Sequence, residues 1–135
     1  MMPRSGSSGG PAATMFAADQ ASRGLGMELV ELGEGRAVLQ MRIARTMING
    51  HDIAHGGYVF LLADSAFSCA CNSRGPVTVA AGAEISFLRA VREGDVLTAT
   101  AAERVSYGRS GIYDVTVRRG DEVVAEFRGR SRIVG

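Results

Sequence analysis

The chain has 135 residues and a formal net charge of +1, which is the length of a single domain. Its composition, 46% hydrophobic and 21% charged, is that of an ordinary globular protein. The near-neutral charge argues against a nucleic-acid-binding surface, and the absence of lysine excludes a Schiff-base or P-loop lysine.

The N-terminal region divides into a tail and a short helix. Residues 1–13 are rich in Ser, Gly and Pro, so we predict a flexible tail that lacks the apolar segment of a secretory signal peptide. Residues 14–23 form a predicted helix, with Thr14 as its N-cap and Gly24 behind its end. Residues 14–135 are predicted to form one domain.

Six further segments have the patterns of β-strands. Residues 27–31 and 36–44 alternate apolar and polar side chains on either side of a Gly-Glu-Gly turn. The second of them directs four apolar side chains to one face: Ala37, Leu39, Met41 and Ile43. The second half of the chain is divided by glycine-containing turns into four predicted strands, at 77–90, 96–105, 111–118 and 123–133. Their short connections predict an antiparallel meander.

Residues 57–73 are different, because they are apolar almost all round and show no alternation. A helix with this pattern is buried on every side. Gly56 and Gly57 mark its start, and residues 72–76 carry its stop signals. The segment contains Asp64 and is shorter than the roughly 20 residues of a membrane span, so we expect no membrane partner.

The two cysteines lie within this helix. Cys69 and Cys71 are two positions apart, where a disulfide between them has poor geometry, and they lack the spacing of a zinc site. We therefore expect two small buried side chains. Unpaired thiols fit a reducing, cytoplasmic location.

The order of the predicted elements indicates an α+β fold. One long buried helix and one large antiparallel sheet pack well when the sheet wraps the helix. A wrapping sheet covers only part of a helix that is apolar all round. The uncovered side needs a partner, so we expect a dimer or larger assembly.

Asp64 is the clearest candidate for a catalytic residue. It lies in the middle of an apolar segment, where an unpaired carboxylate is unfavourable. Burial tends to raise the pKa of a carboxyl group toward the range useful for a base. The alternative is a structural Asp that faces solvent or pairs with an Arg.

Gly56 and Gly57 open the same helix. A helix N-terminus has unpaired N–H groups and a partial positive charge, which suit the oxygen of a reacting carbonyl, and glycine lets a substrate approach the backbone closely. Gly56 and Asp64 are eight residues apart, about 12 Å along a helix. We therefore expect a composite site, in which Gly56 of one chain meets Asp64 of another across a two-fold axis.

Three other polar residues near these positions have weaker assignments. Ser68 follows Asp64 by one helical turn and either orients Asp64 or a water, or bonds back to the carbonyl four residues earlier. His51 and His55 suggest a metal pair, but Asp52 is the only candidate third ligand, so we expect no metal. His55 more simply fixes the turn into the helix, through Asn49 or the backbone.

Residues 47–72 (MINGHDIAHGGYVFLLADSAFSCACN) closely resemble the phenylacetic-acid-degradation branch of the hotdog acyl-CoA thioesterases. The resemblance continues through residues 85–89, 94–97 and 127–130 and covers the chain beyond the tail. It implies the hotdog fold, in which a curved antiparallel sheet wraps a long central helix. It also implies dimers that pair into tetramers, and hydrolysis of coenzyme A thioesters without a metal or a separate cofactor, coenzyme A being part of the substrate.

The resemblance also implies roles for individual residues. Asp64 is the catalytic carboxylate, as a general base on water or as a nucleophile that forms a mixed anhydride. The Gly56 N–H polarises the thioester carbonyl, Asn49 holds the substrate or the attacking water, and His55 supports that loop. Ser68 takes the place of a hydroxyl that positions the nucleophile. Ala80 stands where some relatives have a Ser, so that role is not carried over.

The acyl groups of this branch are aryl-acetyl and hydroxylated aryl-acetyl. Phe60 and Phe67 suit an aromatic ring, although they also suit a core. Arg89, Arg109 and Ser110 are candidate contacts for the phosphates of coenzyme A, because the guanidinium group binds phosphate through two parallel hydrogen bonds. The alternative for these three residues is a solvated turn.

Three other functions remain open. A hotdog enoyl-CoA hydratase would give a hydroxyacyl thioester and release no thiol. A non-catalytic acyl-CoA-binding module would need no buried carboxylate. A structural dimerisation module would leave the positions of His55 and Asp64 unexplained.

Overall fold

The computed structural model describes residues 10–134, and it begins with two short helices, α1 (Pro11–Ala17) and α2 (Gln20–Gly24). The prediction of one helix over residues 14–23 is therefore wrong. Asp19 interrupts it, because its extended backbone lets its side chain cap α2.

The predicted tail boundary is also displaced. Residues 1–9 of the tail predicted over residues 1–13 lie outside the described residues, whereas residues 11–13 form the first turn of α1. Thr14 is consequently inside a helix, and the N-cap is Gly10. Pro11 is compatible with this start, because the first helical position has no N–H partner to lose.

The predicted long helix and the six strands are all present. After a short 3₁₀ turn at Arg45–Met47, the central helix α3 takes up residues Gly56–Cys71. The strands are β1 (Glu28–Gly33), β2 (Arg36–Arg42), β3 (Thr78–Phe87), β4 (Val96–Tyr107), β5 (Ser110–Arg119) and β6 (Glu122–Ile133). Within residues 10–134, no helix is long and apolar enough to cross a membrane.

The strands form one antiparallel sheet in the order β1-β2-β4-β5-β6-β3. The meander predicted for the second half of the chain is confirmed for β4, β5 and β6 but is wrong for β3. This strand pairs with β6, with Thr78 opposite Ile133, and forms an edge of the sheet. Residues 88–95 connect it to β4 across three strand spacings, about 14 Å, which eight residues span easily.

The core lies between α3 and the sheet. The helix packs mainly against β2, β4 and β5. The four apolar residues predicted to share one face of β2 are each at most 1% exposed: Ala37, Leu39, Met41 and Ile43. The prediction for the cysteines is confirmed as well, since Cys69 and Cys71 are buried and unpaired. This is the α+β arrangement predicted from the sequence.

The side of α3 that faces away from the sheet is partly covered by α1 and α2. Tyr58, Leu61 and Asp64 remain half-buried on the helix, so this single chain does not bury it on every side. Strand β3 and its approach also leave apolar side chains exposed at the sheet edge, among them Val77, Val79 and Phe87.

Candidate active site

His55 is the N-cap of α3 and sets the geometry of its first turn. Its Nδ1 accepts a hydrogen bond from the Gly57 N–H at 3.0 Å, and its own N–H donates to the Met47 carbonyl at 2.8 Å. A ring nitrogen that accepts carries no proton, so this network assigns the neutral tautomer with the proton on Nε2. His55 thus fixes the turn through the backbone, as one of the two predicted alternatives has it, and its bond occupies the Gly57 N–H.

Gly56 follows as the first residue of α3. Within residues 10–134 its N–H has no hydrogen-bond partner, as expected at a helix N-terminus. The Phe87 ring lies directly over it, and a Cβ at this position would be 2.8 Å from Phe87 Cζ. A larger residue at this position would require the exposed Phe87 ring to move.

Asn49 organises the loop that precedes the helix. Its Oδ1 accepts from the N–H groups of His51 at 2.8 Å and Ile53 at 3.3 Å, and its own N–H donates to the Ile53 carbonyl at 2.8 Å. The side-chain oxygen is therefore occupied within the loop. The Nδ2 group makes no hydrogen bond within residues 10–134 and is available as a donor.

A cavity of about 310 Å³ brings several of the predicted residues together. Three of the residues that line it were predicted as site residues: Asn49, Gly56 and Arg89. The rest of its wall is mostly apolar and comes from the loop, α3 and the sheet: Ile53, Ala54, Val59, Phe87, Ala90, Val91 and Val124. This combination of an apolar wall with a few convergent polar groups is typical of a ligand site.

Asp64 does not line this cavity. Its carboxylate is half-buried and makes no hydrogen bond or ion pair with another side chain or backbone group of residues 10–134. Burial raises the pKa of Asp64 above its ordinary value, and the negative charge of Asp19 raises it further. A carboxyl group with a raised pKa and no neutralising partner is a candidate general base.

Ser68 lies on the same side of α3 as Asp64, but the two predicted bonds to Asp64 are absent. Ser68 Oγ donates to the sulfur of Met15 on α1 at 3.8 Å. It bonds neither to the Asp64 carboxylate nor to the Asp64 carbonyl. The neighbouring Ser65 makes the polar contact to the N-terminal helices, with Ser22.

The two aromatic residues proposed as acyl contacts take core positions. Phe67 is 1% exposed, and its ring centroid lies 5.8 Å from that of Phe127 and 5.7 Å from that of Tyr113. Phe60 is half-buried against Phe127 at 5.3 Å. The structure places both away from the cavity, because they project from α3 toward β5 and β6. The aromatic residue in the cavity is Phe87, which sequence reasoning missed.

The three candidate phosphate contacts lie at two different cavities. Arg89 is at the cavity, where its Nε pairs with Glu122 at 3.1 Å and a terminal nitrogen donates to the Val123 carbonyl. Arg109 and Ser110 line a smaller cavity of about 120 Å³ beside Cys71, at the opposite end of α3. Arg109 donates there to the Ile133 carbonyl at 3.0 Å.

His51, Asp52 and His55, the candidate metal residues, lie in the segment just before α3. No group of three or more His, Cys, Asp or Glu side chains in residues 10–134 is arranged to hold a metal ion. His51 is exposed, and the backbone of Asp52 has a positive φ of 65° at the tip of the Asn49 loop.

Comparison with known proteins relates this arrangement to a family. A sequence model of the thioesterase superfamily matches residues 51–126. Acyl-coenzyme A thioesterase PaaI of Escherichia coli (strain K12) is 43% identical over 122 residues, which cover 90% of this chain and 87% of that protein.

Solved structures agree with the sequence comparison. The structure of E. coli PaaI, from the phenylacetic acid degradation operon, superposes with a TM-score of 0.89 at 42% identity, over 92% of this chain and 91% of that one. A mutant of the phenylacetic acid degradation protein PaaI from Thermus thermophilus superposes with a TM-score of 0.83 at 33% identity, over 86% and 100% of the two chains. The chain therefore belongs to the thioesterase superfamily, with the hotdog fold, and it is a thioester hydrolase.

Proposed function

We propose that this thioester hydrolase cleaves acyl-coenzyme A, and that its substrates are small aryl-acetyl thioesters such as phenylacetyl- or hydroxyphenylacetyl-coenzyme A. The observation that carries this proposal is the open Gly56 N–H, which lies at the start of α3 in an apolar cavity. The E. coli relative that is 43% identical is named as an acyl-coenzyme A thioesterase, which supports the coenzyme A part of the substrate.

The thioester carbonyl oxygen is placed at the Gly56 N–H in this proposal. Negative charge develops on that oxygen during attack, and the N-terminus of a 16-residue helix supplies both a donor and a partial positive charge. Asn49 lines the same cavity, and its Nδ2 is the proposed second donor, which holds the substrate or the attacking water. His55 keeps both in place, since it caps α3 and anchors the end of the loop to Met47.

Asp64 is the proposed catalytic carboxylate. Asp64 must be ionised to act as a general base or as a nucleophile. In either role, we expect the enzyme to lose activity as the pH falls below the raised pKa of Asp64. Along α3 it is about 12 Å from Gly56, too far for one carbonyl to reach both. We therefore propose that Asp64 of a second copy completes the site beside Gly56 of the first, which gives two equivalent sites per dimer.

The proposed dimer accounts for two exposed features of the single chain. Asp64 lies on the side of α3 that faces away from the sheet, and β3 presents an apolar edge with Val79 46% exposed. Unpaired strand edges of this kind are open to pairing with a second chain. We further propose that two dimers form a tetramer.

The apolar wall of the cavity supports an aryl group as the acyl part. An engineered apolar cavity of about 150 Å³ holds benzene in another protein. The cavity of about 310 Å³ beside Gly56 therefore has room for a phenyl ring and its methylene group. Phe87 and Val91 are the proposed contacts for the ring in place of Phe60 and Phe67.

Arg89 is the proposed contact for the phosphates, because it lies at the same cavity and is 49% exposed at its side chain. Arg109 and Ser110 can reach this site only from a second copy whose α3 runs antiparallel. We propose no metal and no separate cofactor, and the buried thiols support a reducing compartment, the cytoplasm.

The test is free-thiol release from phenylacetyl-coenzyme A beside aliphatic acyl thioesters, for the wild type and Asp64→Asn. We expect release by the wild type, fastest with the aryl-acetyl thioester, and a loss of at least about 100-fold in the variant. A wild type that binds acyl-CoA without releasing thiol contradicts the proposal. The product then separates a hydratase, which yields a hydroxyacyl thioester, from a module that only binds.

A further inference from the structure

A polar chain links the N-terminal helices to α3 next to Asp64. Asp19 Oδ1 accepts from the Ser22 N–H at 2.9 Å, and Asp19 Oδ2 accepts from the Ser22 hydroxyl at 2.6 Å. Ser22 Oγ is also 2.6 Å from Ser65 Oγ. Ser22 is 1% exposed and Ser65 is 6% exposed, so this contact is inside the protein.

The direction of the hydrogen bonds follows from the number of protons. An ionised carboxylate only accepts, so Ser22 uses its single hydroxyl proton on Asp19. Ser65 must then donate its own proton to Ser22. The hydrogen bonds therefore run from Ser65 on α3 to Ser22 and from Ser22 to Asp19. They hold the Asp19 carboxylate against α3, within one turn of Asp64.

The N-terminal helices carry few charged groups. Helix α1 carries no titratable side chain, and α2 carries Arg23, whose guanidinium donates to the Ala17 carbonyl at 3.1 Å. On α3 itself, burial raises the pKa of the Cys69 and Cys71 thiols to about 12, so both are neutral.

The sheet side of α3 adds no charge either. The strands present buried apolar side chains to the helix, together with the Tyr113 hydroxyl, whose pKa burial raises. Burial is the larger cause of the raised pKa of Asp64, and Asp19 is the charged group that raises it further.

We propose that Asp19, fixed to the central helix through Ser22 and Ser65, is a positioning residue that holds a second negative charge beside Asp64 during thioester hydrolysis. This inference rests on the proposed role of Asp64. A like charge makes the carboxylate a stronger base, and Asp19 does so without touching the substrate. The two short N-terminal helices are then part of the catalytic apparatus as well as a cover for the core.

The decisive variant is Asp19→Asn, which keeps the Oδ1 acceptor that caps α2 and removes the charge, while its Nδ2 donates to Ser22 Oγ in place of the bond that Oδ2 accepts. Removing a like charge lowers the pKa of Asp64, and the ionised form then persists to lower pH. We expect the acid limb of the kcat/KM profile for thiol release to move to lower pH by about half to one unit. Asp121→Asn, in the exposed β5–β6 turn, is the matched control and should leave the limb in place.

A second variant and a titration complete the test of Asp19. Asp19→Ser also retains an N-cap and should shift the limb in the same direction, so a poorly folded Asn variant does not end the test. Carboxyl ¹³C titration of Asp64, assigned with Asp64→Asn, reads the same shift without turnover. If the titration and the acid limb coincide with those of the wild type, Asp19 has no such role. A wild type without thiol release, by contrast, contradicts only the proposed function.

Discussion

The start and the middle of α3 are built in different ways. At the start, His55 caps the helix, Asn49 orders the loop, and the Phe87 ring covers Gly56, all from one chain. In the middle, Asp64 is half-buried and has no hydrogen bond or ion pair within residues 10–134. In the proposed function, the first region binds the thioester carbonyl but has no base, and the second supplies a base but has no substrate cavity. In the proposed dimer, Gly56 of one copy and Asp64 of the other meet in one site.

The largest expected effect is on the donor at the helix start. Gly56→Pro removes the N–H, and the extended backbone of His55 (ψ 131°) is compatible with a following proline, which the first helical position tolerates. Loss of one such donor should lower kcat by about 100- to 1,000-fold. Steady-state thiol release measures this, and Gly56→Ala, whose Cβ meets the Phe87 ring in the same way but which keeps the N–H, is the matched control. If Gly56→Pro releases thiol at the wild-type rate, the Gly56 N–H has no part in catalysis.

A smaller effect is expected at Asn49, where the two sides of the amide have separate tasks. Asn49→Asp keeps the oxygen that accepts from His51 and Ile53 but loses the Nδ2 donor. We expect kcat/KM to fall about tenfold, the size of one hydrogen bond to the reacting complex, with Tm nearly unchanged. Asn49→Ala should lower Tm as well, because the loop loses both contacts. Equal activity of Asn49→Asp and the wild type would show that the donor is not used.

The smallest expected effect is on stability and concerns the middle of α3. The pKa of Asp64 is raised in the folded chain, so the folded state binds the proton more tightly than the unfolded state does. Stability from this group is present at low pH and is lost as the pH rises through the raised pKa. Asp64→Asn should therefore raise Tm at pH 7 by roughly 2 °C, with a smaller gain near pH 3. Calorimetry at both pH values measures this, and a lower Tm at pH 7 would indicate a stabilising ionised partner.

Local patterns were sufficient for much of the fold and for the start of the site. The periods of the strands, the apolar segment of α3 and the Gly56-Gly57 start depend on neighbours in sequence. The position of Asp64 also stood out locally, as one carboxylate in an apolar helix. The role of Asp19 was harder to predict. An Asp with Ser22 three residues later is the usual pattern of a helix N-cap, which points to a structural role.

Contacts between distant residues were not accessible in the same way. The pairing of β3 with β6 depends on where residues 88–95 cross the sheet, and the sequence contains no marker for that path. Phe67 and Phe87 are both aromatic residues in apolar segments, yet one lies in the core and the other over Gly56. Only tertiary packing decides between those positions, and the contact between Ser22 and Ser65 likewise joins residues 43 positions apart.

The composite site is tested most directly by mixing two inactive variants. Gly56→Pro retains Asp64, and Asp64→Asn retains the Gly56 N–H, so a dimer of one chain of each has one intact composite site. Refolding an equal mixture should recover about a quarter of the wild-type rate of thiol release, because about half of the dimers are mixed and each has one of two sites. If Gly56 and Asp64 act within one chain, the mixture stays as inactive as its components, and the account of two complementary regions is wrong.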